Sequence, residues 1–165
     1  MKKYIVTFTL LIAIVFTACA HQKKTRAKRS KPSRITVTSI QMTRGACFGR
    51  CPSYTVSIES NGNAAYQGRT FAPYEGEYVK TFPAQQVAAL FAEFSKYRLD
   101  TCQENYKVML PDLPGMDFTL IIDGKEKTIR NASFGPDFFR ALAIKLDSTV
   151  KINDTWRKVS NTEKQ

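Results

Sequence analysis

The sequence predicts an α+β domain, an antiparallel sheet in the order β-β-β-β-α-β-β-α with two helices packed on one face. Three observations carry this. Short runs alternate apolar with polar residues, as half-buried strands do. Two of the gaps between runs hold Asn61-Gly62 and Asp123-Gly124, dipeptides that accept the left-handed backbone of a tight hairpin. Two further stretches switch to apolar residues three and four apart, and each opens on a proline. Hairpin-joined strands segregated from helices describe an antiparallel sheet covered on one side.

The elements follow in order. Residues 35–42 form the first strand, with Ile35 and Val37 on one face and then Ile40 and Met42, a change of parity that places a bulge near Ser39. Tyr54, Val56 and Ile58 alternate with Thr55, Ser57 and Glu59 in the second strand. Residues 64–68 return from Asn61-Gly62 as the third, and residues 78–82 form the fourth. From Pro83 the period changes, and Val87, Leu90, Phe91 and Phe94 define the buried stripe of a helix. Phe118, Leu120 and Ile122 mark a strand, and residues 125–131 are its hairpin partner. Pro136 opens the second helix, whose stripe is Phe139, Leu142, Ala143, Leu146 and Val150. The domain is placed at residues 35–152, and a polar tail at 153–165 is expected to fray.

The chain has 165 residues, enough for one domain with a core of its own. Its formal charge of +11 is concentrated near the start: Lys2, Lys3 and seven basic residues between Cys19 and Ile35. The remaining 131 residues carry 16 basic groups and all 14 acids. A domain-wide nucleic-acid surface is therefore not expected.

Residues 1–18 read as a signal peptide: two lysines, an apolar run at 4–16, then the small residues Thr17 and Ala18. An apolar run of 13 residues is short of the ~20 a spanning helix needs. The Phe16-Thr17-Ala18-Cys19 stretch resembles a bacterial lipobox with phenylalanine in place of the usual leucine, which implies a lipid on Cys19. Ala20 after the cysteine resembles lipoproteins sorted to the outer membrane, facing the periplasm, with the cell surface as the alternative. Residues 19–34 are then a lipidated cysteine and a disordered basic tether. Within it, residues 23–34 act either as spacer or as a contact with anionic headgroups.

Cys47, Cys51 and Cys102 remain. Cys47 and Cys51 can close a disulfide only if the chain turns between them, which Gly49 permits, and Pro52 then directs the chain into the second strand. An oxidising periplasm favours that bond. A redox or metal role, unpaired thiols, or pairing of Cys102 with either cysteine are the alternatives. The string Cys47-Phe48-Gly49-x-Cys51-Pro52-x-Tyr54, followed by an Asn-Gly hairpin, resembles an uncharacterised bacterial domain family found in predicted lipoproteins. Similarity continues through the helix from Pro83, the Asp112-Leu113-Pro114 stretch, the Asp123-Gly124 hairpin and the last helix. It covers roughly residues 35–150 and implies no activity.

The single histidine, His21, lies in the tether, which removes Ser-His-Asp and Cys-His catalysis and histidine zinc sites from the domain. No catalytic residue, metal site or cofactor is expected. The function expected is a lipid-anchored, non-enzymatic binding or envelope-structure module with a protein or glycan partner. Its candidate ligand face is Tyr54, Tyr66, Tyr74 and Tyr78. The alternative is a carboxylate-dependent hydrolase of envelope polymers, drawing on Glu75, Glu77, Asp112, Asp117 or Asp123.

Overall fold

The computed structural model describes residues 34–107 and 113–160. Residues 1–18, expected as a signal peptide, Cys19, nearly all of the expected tether, Asp112 and residues 161–165 lie outside them. Seven antiparallel strands form one sheet in the order β6-β5-β1-β2-β3-β4-β7. In chain order these are β1 (Val37–Arg44), β2 (Tyr54–Glu59), β3 (Asn63–Gly68), β4 (Gly76–Thr81), β5 (Met116–Ile122), β6 (Lys125–Ile129) and β7 (Arg157–Lys158). Helix α1 (Ala84–Phe94) follows β4, and α2 (Phe138–Thr149) follows β6.

The predicted architecture is the observed one. The register between β1 and β5 slips between Val37 and Ser39, where the change of apolar parity requires a bulge. Gly62 (φ +96°), Asp123 (φ +50°) and Gly124 (φ +77°) supply the left-handed backbone of the two hairpins. Asp123 also joins the second hairpin to the chain entering β1: its N–H donates to Thr36 O at 2.8 Å, and its Oδ1 accepts from Thr36 N at 2.9 Å. Val87, Leu90, Phe91 and Phe94 are the buried residues of α1, and Phe139, Leu142, Ala143 and Leu146 those of α2.

Both helices cover the same sheet face. Phe118, on β5, meets Phe94 of α1 edge-on at 5.8 Å between ring centroids and Phe139 of α2 at 6.1 Å. The buried residues Ile40, Met42, Val56, Ile58 and Leu120 share that face. The opposite face carries Gln41, Thr43, Thr55, Ser57, Ala65 and Gln67.

The differences lie at boundaries and at the C-terminus. β6 ends at Ile129 rather than at residue 131, because Asn131 takes left-handed backbone (φ +54°) and cannot continue a strand. A 3-10 turn, Ala132–Phe134, then leads towards α2. The fraying expected after residue 152 is incorrect through residue 159. Trp156 is buried, packs edge-on against Phe82 (5.7 Å) and Tyr66 (6.3 Å), and donates its indole N–H to Lys151 O at 3.2 Å. The adjoining Arg157–Lys158 pair adds β7 to β4, and Val159 N donates to Glu77 O. One large aromatic among polar neighbours has no periodicity, yet its burial is enough to dock the segment.

Candidate functional site

At one end of the sheet, β1 finishes at Arg44 directly opposite Tyr54, where β2 begins. Both residues stand on the helix-covered face, under the last turns of α2, and Asp147 of that helix reaches them. Arg44 Nη2 donates to Asp147 Oδ2 at 2.7 Å, Tyr54 Oη donates to Asp147 Oδ1 at 2.8 Å, and Arg44 Nε donates to Tyr54 Oη at 2.8 Å. The three side chains close a triangle that ties two strands to a helix. Burial opposes the charge on Arg44, but the hydrogen bond and charge of Asp147 more than offset it and hold the guanidinium above its ordinary pKa. Burial, with the nearby Asp147 charge, raises Tyr54 well above the ordinary phenol range.

Next to this triangle the tyrosine rings run in a chain. Tyr54 stacks on Tyr66 at 5.4 Å, Tyr66 meets Tyr78 edge-on at 6.4 Å, and Tyr78 meets Tyr74 edge-on at 5.9 Å. Tyr54, Tyr66 and Tyr78 share the covered face, and Tyr74 comes from the 69–75 connection between β3 and β4. The candidate ligand residues are thus brought together, but on the helix-covered side of the sheet, against the end of α2 and the segment that follows it, and not on the open side. Gly68 makes this closure possible. A Cβ there would stand 1.8 Å from Tyr74 O and 2.9 Å from the Tyr66 ring, so only glycine lets the connection fold back across β3. The same connection is tied to the residue before β2 by Ser53 N to Thr70 O and Arg69 N to Ser53 O.

Tyr54, Val56, Tyr66, Tyr74, Asp147 and Val150 are among the residues that surround a cavity of about 500 Å³. Tyr78 touches Tyr66 and Tyr74 without being one of them. Tyr66 is only 4% exposed, and its buried Oη has no hydrogen-bond partner among the described residues. Burial, then the Asp147 charge and Tyr78, push its pKa up to about 12, so the hydroxyl is neutral and able to donate at neutral pH. A buried hydroxyl without a partner costs free energy unless something else meets it. The cavity therefore offers a largely apolar, aromatic wall, and one of its lining residues, Tyr66, carries an unpartnered hydroxyl that is closed off from solvent.

The other candidates lie apart from this cavity. Cys47 and Cys51 form a disulfide, with Cα atoms 5.6 Å apart, and it closes the β1–β2 connection. Cys102 is free, which removes the alternative pairings, and burial raises its thiol pKa, the reverse of an activated nucleophile. Asp117 Oδ1 accepts from Asn131 N at 2.8 Å, a structural role, while Glu75 is exposed in a connection and Glu77 lies on β4. Among the described residues no group of three or more His, Cys, Asp or Glu side chains could hold a metal, and no helix is long and apolar enough to cross a membrane. Sequence reasoning missed Arg44, Asp147 and residues 150–153. Asp147 did leave a signal: it lies four residues after Ala143 and three before Val150, an acid on the buried stripe of its helix.

A family model for a domain of unknown function, DUF6438, matches residues 38–150. No curated protein and no solved structure matches the chain.

Proposed function

The chain belongs to the DUF6438 family, and from that premise we propose that it is a non-enzymatic binding module of the bacterial cell envelope, anchored through a lipid on Cys19. The binding site is the tyrosine-lined cavity beneath the 69–75 connection. Its ligand is a compact apolar or aromatic group that lies against Tyr54, Val56 and Val150. It bears one hydrogen-bonding function, which meets Tyr66 Oη once a small shift of the lining side chains uncovers that hydroxyl. The observation that carries this is a cavity walled mainly by apolar and aromatic side chains, with the unpartnered Tyr66 hydroxyl buried in the residues that line it. A carboxylate hydrolase needs two acids facing one cleft. Here Asp147 is the one acid among the described residues that line the cavity, and it is engaged by Arg44 and Tyr54.

The apolar run before Cys19 and the small residues beside it support the anchor, and the acid-free basic run supports salt-sensitive headgroup contact by residues 23–34. Two experiments test the two halves. Ligand-observed NMR with p-cresol as probe is expected to show saturable binding, weakened about fivefold by Tyr66→Phe through loss of one hydrogen bond. No saturable binding, or equal binding by the variant, would remove the cavity from the reading. Labelling cells with a clickable fatty acid is expected to mark the wild type and spare Cys19→Ala, and equal labelling would remove the anchor.

A further inference from the structure

The end of the sheet that holds Arg44 and Tyr54 also carries three of the four large apolar side chains that the described residues leave exposed. Phe48 is 95% exposed, Phe71 50% and Leu113 49%. They lie far apart in sequence but on adjoining connections. Phe48 stands in the β1–β2 connection, Phe71 in the β3–β4 connection, and Leu113 just before β5. Ser53 N to Thr70 O joins the first to the second, and Gly45 N to Gly115 O joins the first to the third. We propose that this end of the domain docks onto an anionic lipid bilayer, with Phe48 entering the interfacial layer and Phe71 and Leu113 flanking it.

Three features favour a bilayer over a protein pocket as the occupant. A side chain 95% exposed stands clear of its neighbours, and the three project from separate connections. A fluid interface accepts such protrusions without a complementary shape, whereas a folded partner would need a matching set of pockets. Charge is the second feature: residues 43–58 contain no acid, Arg44 among them is engaged by Asp147, and exposed Arg50 stands two positions from Phe48. An arginine beside an apolar tip meets headgroup phosphates as the ring enters the acyl boundary. The third is pre-organisation. The disulfide closes a five-residue ring around Phe48, so less conformational freedom is lost on insertion. Phe71 likewise stands in a closed turn, with Ala72 N donating to Arg69 O at 3.0 Å.

The proposal goes beyond the cavity reading and does not need Cys19 to be lipidated. It is tested on protein spanning residues 34–165, which lacks the basic tether and keeps the compact unit Arg34–Gln165 and the whole described core. Partition onto phosphatidylethanolamine vesicles with about 30% phosphatidylglycerol is measured in about 0.1 M salt, where the Debye length of about 10 Å leaves headgroup contact by Arg50 in place. Wild type is expected to partition, Phe48→Ser to lose about tenfold, and Phe71→Ser and Leu113→Ser less each. Ile144→Ser, on the outer side of α2 and 67% exposed, is expected to change nothing. Phe48→Trp is expected to be quenched by brominated acyl chains. Because Phe48 has almost no packing to lose, unchanged thermal unfolding of Phe48→Ser verifies that the comparison is between folded proteins. Failure of the wild type to partition overturns the proposal and leaves the tip to a protein partner. Equal partition by Phe48→Ser, or an equal loss in Ile144→Ser, overturns it as well.

Discussion

Replacing Asp147 with alanine tests whether the Arg44–Tyr54–Asp147 triangle holds α2 to the end of the sheet. The substitution removes two hydrogen bonds to a carboxylate, at 2.7 and 2.8 Å, and leaves Arg44 bonded to Tyr54. A hydrogen bond to a charged group contributes about 1.5–3 kcal/mol where it is shielded. The Arg44 and Asp147 side chains are 33% and 32% exposed, so solvent screens the pair and lets the freed guanidinium find water. About 1 kcal/mol for each bond, about 2 kcal/mol in total, is the expected loss. With a urea slope of about 1.5 kcal/mol per molar, the midpoint should fall by about 1.3 M. Trp156, the single tryptophan, lies against Tyr66 and Phe82 and reports the transition by fluorescence. A double-mutant cycle with Arg44→Met should return a coupling of about 1 kcal/mol, smaller in 1 M salt. A loss below about 0.5 kcal/mol together with a coupling near zero would refute the triangle as a link between sheet and helix.

Replacing Cys47 and Cys51 together by serine should cost about 2 kcal/mol, the chain-entropy value for a five-residue ring, and reducing agent should then have no effect on the variant's denaturation midpoint. Trp156→Ala should cost about 3 kcal/mol and raise hydrogen exchange along β4, whose outer partner β7 is held by that side chain; unchanged exchange at Tyr78 and Val79 would contradict the docking. Tyr54 and Tyr66 have folded pKa values above the ordinary 10, with Tyr66 at about 12, so their neutral forms are favoured by folding. Their contribution to stability is therefore complete below pH 10 and is lost as pH rises through the folded values. Ultraviolet titration of the native protein should find these two among the tyrosines still unionised at pH 11, and the drop in stability between pH 10 and 12 should shrink in Tyr66→Phe.

The order of the main elements was legible because each rests on local chemistry. Asn61-Gly62 and Asp123-Gly124 specify hairpins by the backbone they tolerate, and Val87, Leu90, Phe91 and Phe94 specify a buried helix face by spacing alone. Even the bulge near Ser39 followed from parity, since Val37 and Ile40 must both face the core. The disulfide was legible for the same reason: a turn-permitting glycine between two nearby cysteines is a local feature.

The site was not local. Arg44, Tyr54 and Asp147 meet across 103 positions of sequence, and although Asp147 lies on the buried stripe of its helix, nothing local says which charge it meets. The sequence singled out the tyrosines, and alternation sets Tyr54 on the apolar face with Val56 and Ile58. Alternation does not say that the 69–75 connection and residues 147–156 close over them, and that decides whether an aromatic row is open or walled in. Gly68 gains its meaning only when the 69–75 connection crosses it, and Trp156 only when β4 presents an unpaired edge beside Phe82 and Tyr66. Exposed Phe48, Phe71 and Leu113 are likewise unremarkable one at a time. Antiparallel pairing brings their connections to one end, because every second strand terminus falls on the same edge of the sheet. Short-range propensity and periodicity thus determined the elements of this protein. Long-range pairing and burial decided which side chains share a cavity and which share a surface.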